Sequence, residues 1–188
     1  FKIDQIDTTR SNQILSNDEY EIAVSKEKKI ICWHSGEETT FSGSKIIAEN
    51  SWYHVVLTFD GKRILLFVNG ELDSSKNLNI PYKEIDQNLW LGSDPNKIER
   101  LFKGQIDEVR IWNIARTEAE IQTAMNSSLT GKEEGLVGYW NFNDGTAKDL
   151  SPNGNDGEFK GDAKVIDSDL ALGVPIPDPN LRAALEKA

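Results

Sequence analysis

The chain has 188 residues, a formal net charge of −10 and an isoelectric point near 4.7. Its length is sufficient for one substantial hydrophobic core. The acidic charge argues against nucleic-acid binding, which relies on clustered Lys and Arg. No apolar run approaches the roughly 20 residues of a membrane-spanning helix, and the single cysteine, Cys32, excludes an internal disulfide.

Short apolar segments separated by polar ones occupy the first fifty residues. A spacing of about ten residues between such segments is typical of an all-β sandwich or barrel. Cys32 falls within one of these segments, so we expect a buried, inert thiol. The predicted strands cover residues 1–7, 14–15, 20–24, 30–34 and 45–48.

Residues 51–72 predict a three-stranded meander. The runs 52–59 and 64–68 are rich in aromatic and β-branched residues, as strands are. Asp60-Gly61 and Asn69-Gly70 supply the positive φ angles that tight antiparallel turns need. Because both faces of these runs are apolar, we expect them to lie in the middle of a sheet that is covered on each side.

The second half of the chain predicts further strands and one helix. Thr117 with Glu120 three residues later forms a capping box, which indicates a helix over residues 117–126. Strands are predicted at residues 88–92, 104–112, 135–142 and 157–165.

The chain changes character near residue 167. Pro175, Pro177 and Pro179 exclude a regular strand or helix interior, and strong helix formers follow at residues 181–188. The sequence therefore predicts one domain over residues 1–166 and a linker with the start of another region over residues 167–188. The ends of the chain also lead us to expect that it is part of a longer protein.

Several of these segments resemble one known family. WYHVVLTFDGKRILLFVNGEL, WLGSD, FKGQIDEVRIWNIARTEAEI and GLVGYWNFNDGTAKDLSPNGNDGEF occur in the order found in laminin-G-like domains of the concanavalin A-like lectin and glucanase superfamily. The resemblance covers about residues 1–165 and implies an all-β antiparallel sandwich, a jelly roll with one short helix, whose first strand is missing here. Separately, IPDPNLRAALEKA resembles the start of a bacterial leucine-rich-repeat region.

Calcium is one expected ligand, because it takes six to eight hard oxygens from flexible loops. By resemblance to the calcium-binding pentraxins of the same superfamily, the counterparts would be Asn17 and Asp18 in one loop and Asp94, Asn96 and Glu99 in another. Arg100 departs from that pattern, and its charge could replace the ion by pairing with Asp94 or Glu99. Solvated loop carboxylates are the alternative.

A second oxygen-rich stretch covers residues 143–156. Asn and Asp at this density also serve ordinary turns. We therefore expect a structural role, with Asp149 holding the loop in place as the resemblance implies.

Carbohydrate is the second expected ligand. Such sites combine aromatic surfaces with a few well-placed polar groups, and Trp33, Trp90 and Trp112 lie near strand ends. We predict Trp33, Trp90 and Arg100 as ligand-binding residues, with core packing as the alternative for each tryptophan.

Catalysis is not expected. Laminarinase-type enzymes share this fold and carry E-x-D-x-E or E-x-D-x-x-E on one strand, which presents an acid and a nucleophile on the same face. Glu84 and Asp86 begin such a motif, but Asn88 and Leu89 occupy its closing positions.

The sequence thus predicts a non-catalytic, extracellular bacterial module for glycan or protein recognition and adhesion, within a larger secreted or surface-attached chain. The alternative is a structural spacer domain without a small ligand.

Overall fold

The computed structural model describes residues 1–17, 19–34, 37–77, 88–94, 96 and 99–166. These residues form antiparallel β-sheets and one short helix, which confirms the predicted all-β class. In chain order the elements are β1 (Lys2–Ile3), β2 (Asn12–Ser16), β3 (Tyr20–Val24), β4 (Lys29–His34), β5 (Glu37–Ile46), β6 (Val55–Phe59), β7 (Arg63–Val68), β8 (Glu71–Asn77), β9 (Trp90–Leu91), β10 (Gly104–Gln105), β11 (Val109–Trp112), α1 (Glu118–Ala124) and β12 (Leu136–Trp140).

The chain divides into two compact units, residues 1–106 and residues 107 onward. The first unit contains a five-stranded sheet of order β5-β4-β3-β2-β9 and a three-stranded sheet of order β6-β7-β8. It also contains the short pair β1 and β10. The boundary predicted near residue 167 and the predicted leucine-rich-repeat start both lie outside the described residues.

One hydrophobic core joins the two larger sheets of the first unit. Buried apolar side chains from both sheets form this core, so one face of each sheet is turned towards the other sheet. This arrangement is a β-sandwich. The buried members are Phe1, Ile3, Ile6, Ile14, Val24, Ile30, Cys32, Phe41, Ile47, Ile64, Leu66 and Val68.

Cys32 behaves as predicted. Its side chain is buried in this core, and burial raises the pKa of the thiol to about 12. The thiolate form is therefore scarce at neutral pH, and the residue acts as a small apolar side chain.

The central meander is confirmed. Tyr53, Val55, Leu57 and Phe59 pack against the core from one face of the β6 segment. Asn69 and Gly70 form the two-residue turn between β7 and β8, with φ angles of 54° and 78°. The preceding turn is centred one residue later than predicted, because Gly61 has a φ of 88° while Asp60 accepts hydrogen bonds from the amides of Lys62 and Arg63.

Asp73 links the edge strands of the two sheets. From β8, its carboxylate accepts hydrogen bonds from the Ser44 amide at 2.8 Å, the Ser44 hydroxyl at 2.6 Å and the Lys45 amide at 3.0 Å, all on β5. These bonds use backbone amides on an outermost strand of the five-stranded sheet.

The second unit consists, in its described part, of the pair β11 and β12, helix α1 and ordered loops. The predicted capping box is present, since the Thr117 side chain accepts from the Glu120 amide and the Glu120 carboxylate accepts from the Thr117 amide. Arg110 binds the other end of the helix through the carbonyls of Ala124 and Ser127.

Several predicted strands differ from the structure. The strand predicted at residues 1–7 is reduced to β1, the one predicted at 52–59 begins at Val55, and three others differ as follows. The single strand predicted at residues 104–112 is divided between β10 and β11, because Glu108 adopts a φ of 53°. The strand predicted at residues 45–48 is the end of the longer β5. Residues 157–165 form turns and loop in place of a final strand, and Phe159 is exposed there.

Candidate functional site

A row of four paired residues crosses the five-stranded sheet. Trp33 on β4 lies opposite Glu21 on β3, Glu21 lies opposite Ser16 on β2, and Ser16 lies opposite Trp90 on β9. Directly paired residues project from the same face of a sheet. The register therefore gathers these four side chains on one face.

This face is the one turned away from the core of the first unit. Leu15, Ile22 and Cys32, the chain neighbours of Ser16, Glu21 and Trp33, pack in the core. Successive residues of a strand alternate between faces, so the row lies on the opposite side, which we call the outer face. Two of the predicted ligand-binding residues, Trp33 and Trp90, are thus brought into the same row.

The two tryptophans bracket a polar centre. Three strand spacings separate them, a distance of about 14 Å. Both are partly exposed, whereas Ser16 and Glu21 between them are buried. The row therefore has two partly exposed aromatic side chains at its ends and two buried polar side chains between them.

The segment after β9 explains why the polar centre is buried. Gly92, with a φ of 74°, donates its amide to Ile14 O, and its own carbonyl accepts from the Phe102 amide at 2.8 Å. At Ser93, the next residue, the backbone carbonyl accepts from the Ser16 hydroxyl on the outer face at 2.8 Å.

Arg100, the third predicted ligand-binding residue, also reaches the outer face. Its Nη1 lies 3.5 Å from Glu21 Oε2. The Arg100 side chain is 33% exposed and that of Glu21 only 10%, so the guanidinium is the outer member of the pair. The structure thus shows Glu21 as its ion-pair partner, where the sequence pointed to Asp94 or Glu99.

Ser16 and Glu21 were absent from the sequence-based site. The local signal was present: Glu21 is the one charged residue in the otherwise apolar or aromatic run Tyr20–Val24. A charged residue at a buried strand position needs a partner. The identity of that partner, 79 positions away, depends on the path of the later segment.

The predicted calcium ligands have other partners in the described structure. Asn17 Oδ1 accepts from the amides of Glu19 at 2.9 Å and Tyr20 at 2.7 Å, and Asp94 Oδ1 accepts from the Asn96 amide at 2.8 Å. The backbone carbonyl of Glu99 accepts from Arg10 at 3.3 Å. Asp18 lies outside the described residues.

These contacts do not assemble a calcium shell from the described residues. Within the part of the chain that the structure covers, no three His, Cys, Asp or Glu side chains group as a metal site. Calcium prefers six to eight oxygens, and the oxygens of Asn17 and Asp94 named above already hold turns in place. The calcium site stays a prediction.

Asp149 organises the second oxygen-rich stretch, as the sequence predicted. Its buried carboxylate accepts hydrogen bonds from the amides of Tyr139, Ser151 and Asn155 and from the Ser151 hydroxyl, at 2.8 to 2.9 Å. Burial raises the pKa of this carboxyl, but the four hydrogen bonds outweigh it and hold the pKa below its usual range. The stretch is therefore a structural loop.

Trp112, the third aromatic candidate, lies in the second unit at the end of β11. The Arg116 guanidinium lies 4.4 Å from its ring centroid, within cation–π range. Arg116 in turn pairs with Glu120 at 3.4 Å. Trp112 is thus engaged with the start of α1.

The incomplete catalytic motif is not covered by the structure, since Glu84 and Asp86 lie outside the described residues.

The described part of the chain contains no helix with the length and apolarity needed to cross a bilayer.

Comparison with known families agrees with this architecture. A family model described as the concanavalin A-like lectin/glucanases superfamily matches residues 1–122. The chain belongs to this superfamily. The match covers the first unit, including the outer face, together with β11 and part of α1. It confirms the resemblance over residues 1–122, whereas its extension to about residue 165 and the leucine-rich-repeat start stay predictions.

The proteins to which this chain is similar share only part of their length with it. Pappalysin-1 from Mus musculus is 27% identical over 94 residues, which are 47% of this chain and 6% of pappalysin-1. A crystal structure of a "putative carbohydrate binding protein" from Bacteroides ovatus superposes with a TM-score of 0.65 at 22% identity, covering 75% of this chain and 43% of that one. This likeness supports the fold.

A third comparison is weaker. An S-layer domain-containing protein from Clostridium thermocellum is 23% identical and covers 63% of this chain and 64% of its own, but its TM-score is 0.32. It therefore carries no weight in the assignment.

Proposed function

We propose that this chain is a non-catalytic binding module that recognises carbohydrate on the outer face of its five-stranded sheet. The observation that carries the proposal is the strand register, which places Trp33 and Trp90 at the two ends of one row with Ser16 and Glu21 between them. Superfamily membership and the Bacteroides ovatus protein with the same fold agree with it.

The chemistry of the row suits a sugar. Carbohydrate rings have apolar faces that stack on indole rings, and their hydroxyl groups exchange hydrogen bonds with a few placed polar groups. Arg100 offers donors at the surface, held in position by Glu21 beneath it. A separation of about 14 Å between the tryptophans favours a chain of several sugar residues over a single sugar.

The test is binding of a panel of immobilised glycans by the wild-type chain and by the variants W33A and W90A. We expect each variant to lose at least about tenfold in affinity, equivalent to roughly 1.4 kcal/mol, since partly exposed tryptophans are common binding hot spots. W112A is the matched control, because Trp112 is a tryptophan engaged by Arg116 in the second unit.

Two outcomes would contradict this proposal. Equal binding by wild type, W33A and W90A would place the sugar elsewhere than on the outer face. Absence of binding to any glycan would favour the alternative function, a structural spacer domain that supports its neighbours without a small ligand.

A calcium ion at the segment containing Asp94, Asn96 and Glu99 is a separate proposal. The Ser16 to Ser93 hydrogen bond brings this segment close to β2, which leads into Asn17. Glycan affinity measured with calcium and with a chelator tests it. If a chelator lowers the glycan affinity of the wild type but not that of D94N, the result supports a calcium ion at this segment. Equal wild-type affinities with calcium and with the chelator would contradict the proposal.

We further propose that the module acts outside the cell, as part of a larger secreted or surface-attached bacterial chain. Laminin-G-like domains are compatible with this location. Surface protease treatment of intact cells that produce the parent protein is the corresponding test, and a fragment protected until lysis would contradict the location.

A further inference from the structure

We propose that the outer face selects neutral saccharides over acidic ones, and that Glu21 is the residue that sets this preference. This inference rests on the proposed function, because it names the class of sugar that the same site accepts. It starts from Arg100, a cation that pairs with the row through Glu21.

The charge of Arg100 is compensated from beneath. Glu21 Oε2 lies 3.5 Å from Arg100 Nη1, and Glu21 is the more buried of the two side chains. A ligand on the outer face therefore meets a guanidinium that already has a carboxylate partner. Opposite charges at this distance in a partly desolvated setting attract strongly.

A sugar carboxylate would have to share this guanidinium with Glu21. Two carboxylates beside one cation repel each other, and the repulsion grows as water is displaced. A sugar hydroxyl can accept a hydrogen bond from Arg100 without that repulsion. The pair thus discriminates by adding a cost to the wrong ligand, which is a common route to specificity.

Acidic residues near the row also disfavour an anionic ligand. Two further buried acidic residues adjoin the row: Glu19 immediately before β3, and Asp94 directly after Ser93, whose carbonyl binds Ser16. Arg10, which binds the Glu99 carbonyl, is itself paired with Asp7 at 3.3 Å. The net charge of −10 on the whole chain adds a long-range repulsion of anions.

The experiment compares neutral and acidic sugars of the same backbone. The probes are cellohexaose, laminarihexaose and mannohexaose, each also in a form whose primary hydroxyl groups are oxidised to carboxylates. Affinities are measured by calorimetry for the wild-type chain and for E21Q, which keeps the shape of the side chain but removes its charge.

Wild type is expected to bind at least one neutral hexasaccharide, and to bind its oxidised form about tenfold more weakly or worse. In E21Q the ratio of the affinity for the neutral sugar to that for its oxidised form should fall to about threefold or less, because Glu21 then no longer compensates the charge of Arg100. Raised salt concentration should also narrow the wild-type ratio, since it screens charge and leaves shape unchanged.

Two variants complete the design. E71Q makes the same change in net charge at Glu71, which pairs with Lys45 at an edge of the sandwich, and should keep the wild-type ratio. R100Q should widen the ratio of neutral to oxidised affinity, because it removes a positive charge beside Glu21. R100Q also provides a second test in the opposite direction if E21Q proves too unstable for calorimetry.

The outcomes separate the inference from the function it rests on. Equal affinity of wild type for a neutral hexasaccharide and its oxidised form would overturn the inference and leave carbohydrate binding intact. If E21Q keeps the wild-type ratio of neutral to oxidised affinity, Glu21 is not the residue that sets the preference. If no hexasaccharide binds in either form but a glycan of the immobilised panel does, the inference fails for these sugars and the proposed function stands. If no glycan of the panel binds either, both fail.

Discussion

Asp149 shows how one carboxylate fixes a loop. We expect D149N to lower the free energy of unfolding by about 2–4 kcal/mol, because the amide nitrogen of Asn cannot accept from the donors that surround Asp149. Urea denaturation at neutral pH measures the change. D144N is the matched control, since Asp144 lies in the same loop but is exposed and binds only Thr146 in the described structure.

The same variant has a defined pH dependence. The pKa of Asp149 is lowered in the folded state, so its contribution is fully present above the unfolded pKa and is lost as pH falls through the folded pKa. The difference in stability between wild type and D149N should therefore shrink in acid. A difference that stays constant down to about pH 2 would show that charge plays no part.

Single residues also show where sequence reasoning succeeds. The Asn69-Gly70 turn was predictable because positive φ at both positions is a local preference of these residue types. Glu108 was not predictable in this way. Its φ of 53° comes directly before β11, and its carboxylate accepts from Arg110 on β11 and from Tyr139 on the later strand β12.

The pairing of β1 with β10 depends on a close backbone approach at Gly104. A β-carbon at this position would collide with the Lys2 carbonyl and would lie 2.9 Å from Ile3 Cα. G104A is therefore expected to cost about 3 kcal/mol of stability, because the obstacle is backbone and cannot rotate away. Urea unfolding followed by tryptophan fluorescence measures it.

Gly61 provides the comparison for that variant. It has a φ of 88° but nothing within 4 Å of an added β-carbon. G61A should therefore cost about 1 kcal/mol, from backbone strain alone. If G104A proved no more harmful than G61A, the two strands would have room to separate and the close approach would not matter.

Among the elements, strands with apolar periodicity were the predictable ones. The segments 20–24, 30–34 and 64–68 were located to within a residue because apolar side chains recur along them. Most of β5 carries polar and small residues, so its 10-residue length had no sequence signal. Residues 157–165 show the converse, since a strand-like pattern there finds no pairing partner among the described residues.

For the whole molecule, we expect stability to depend on pH. Five further carboxyl groups have pKa values below their usual range because backbone or hydroxyl donors bind the charged form, although for Glu133 the largest single effect is burial, which raises it. They are Asp7, Asp60, Glu120, Glu133 and Asp144.

Lowered folded-state pKa values stabilise the protein above the unfolded pKa, and this stabilisation is lost as pH falls through the folded values. The melting temperature should therefore change little between about pH 6 and 8 and fall steadily below about pH 4. Calorimetric melts across this range provide the test. A melting temperature that held level or rose towards pH 3 would contradict the expectation.

The site could be predicted only in part, for a reason that belongs to the whole chain. Trp33, Trp90 and Arg100 were chosen by residue type and position near strand ends, and the register brings the tryptophans into one row. Glu21 became part of the site only through Arg100. Such pairs depend on which distant segments of the chain become neighbours in the fold, and local propensity does not encode those neighbours.

The bonds that Asp73 makes to Ser44 and Lys45 have a further consequence for the behaviour of the protein in concentrated solution. An outermost strand with open amide groups is a template on which a second copy can add its own strand and begin a fibril. By occupying two of those amides with a side chain of the same molecule, Asp73 covers part of that template, which disfavours strand addition there.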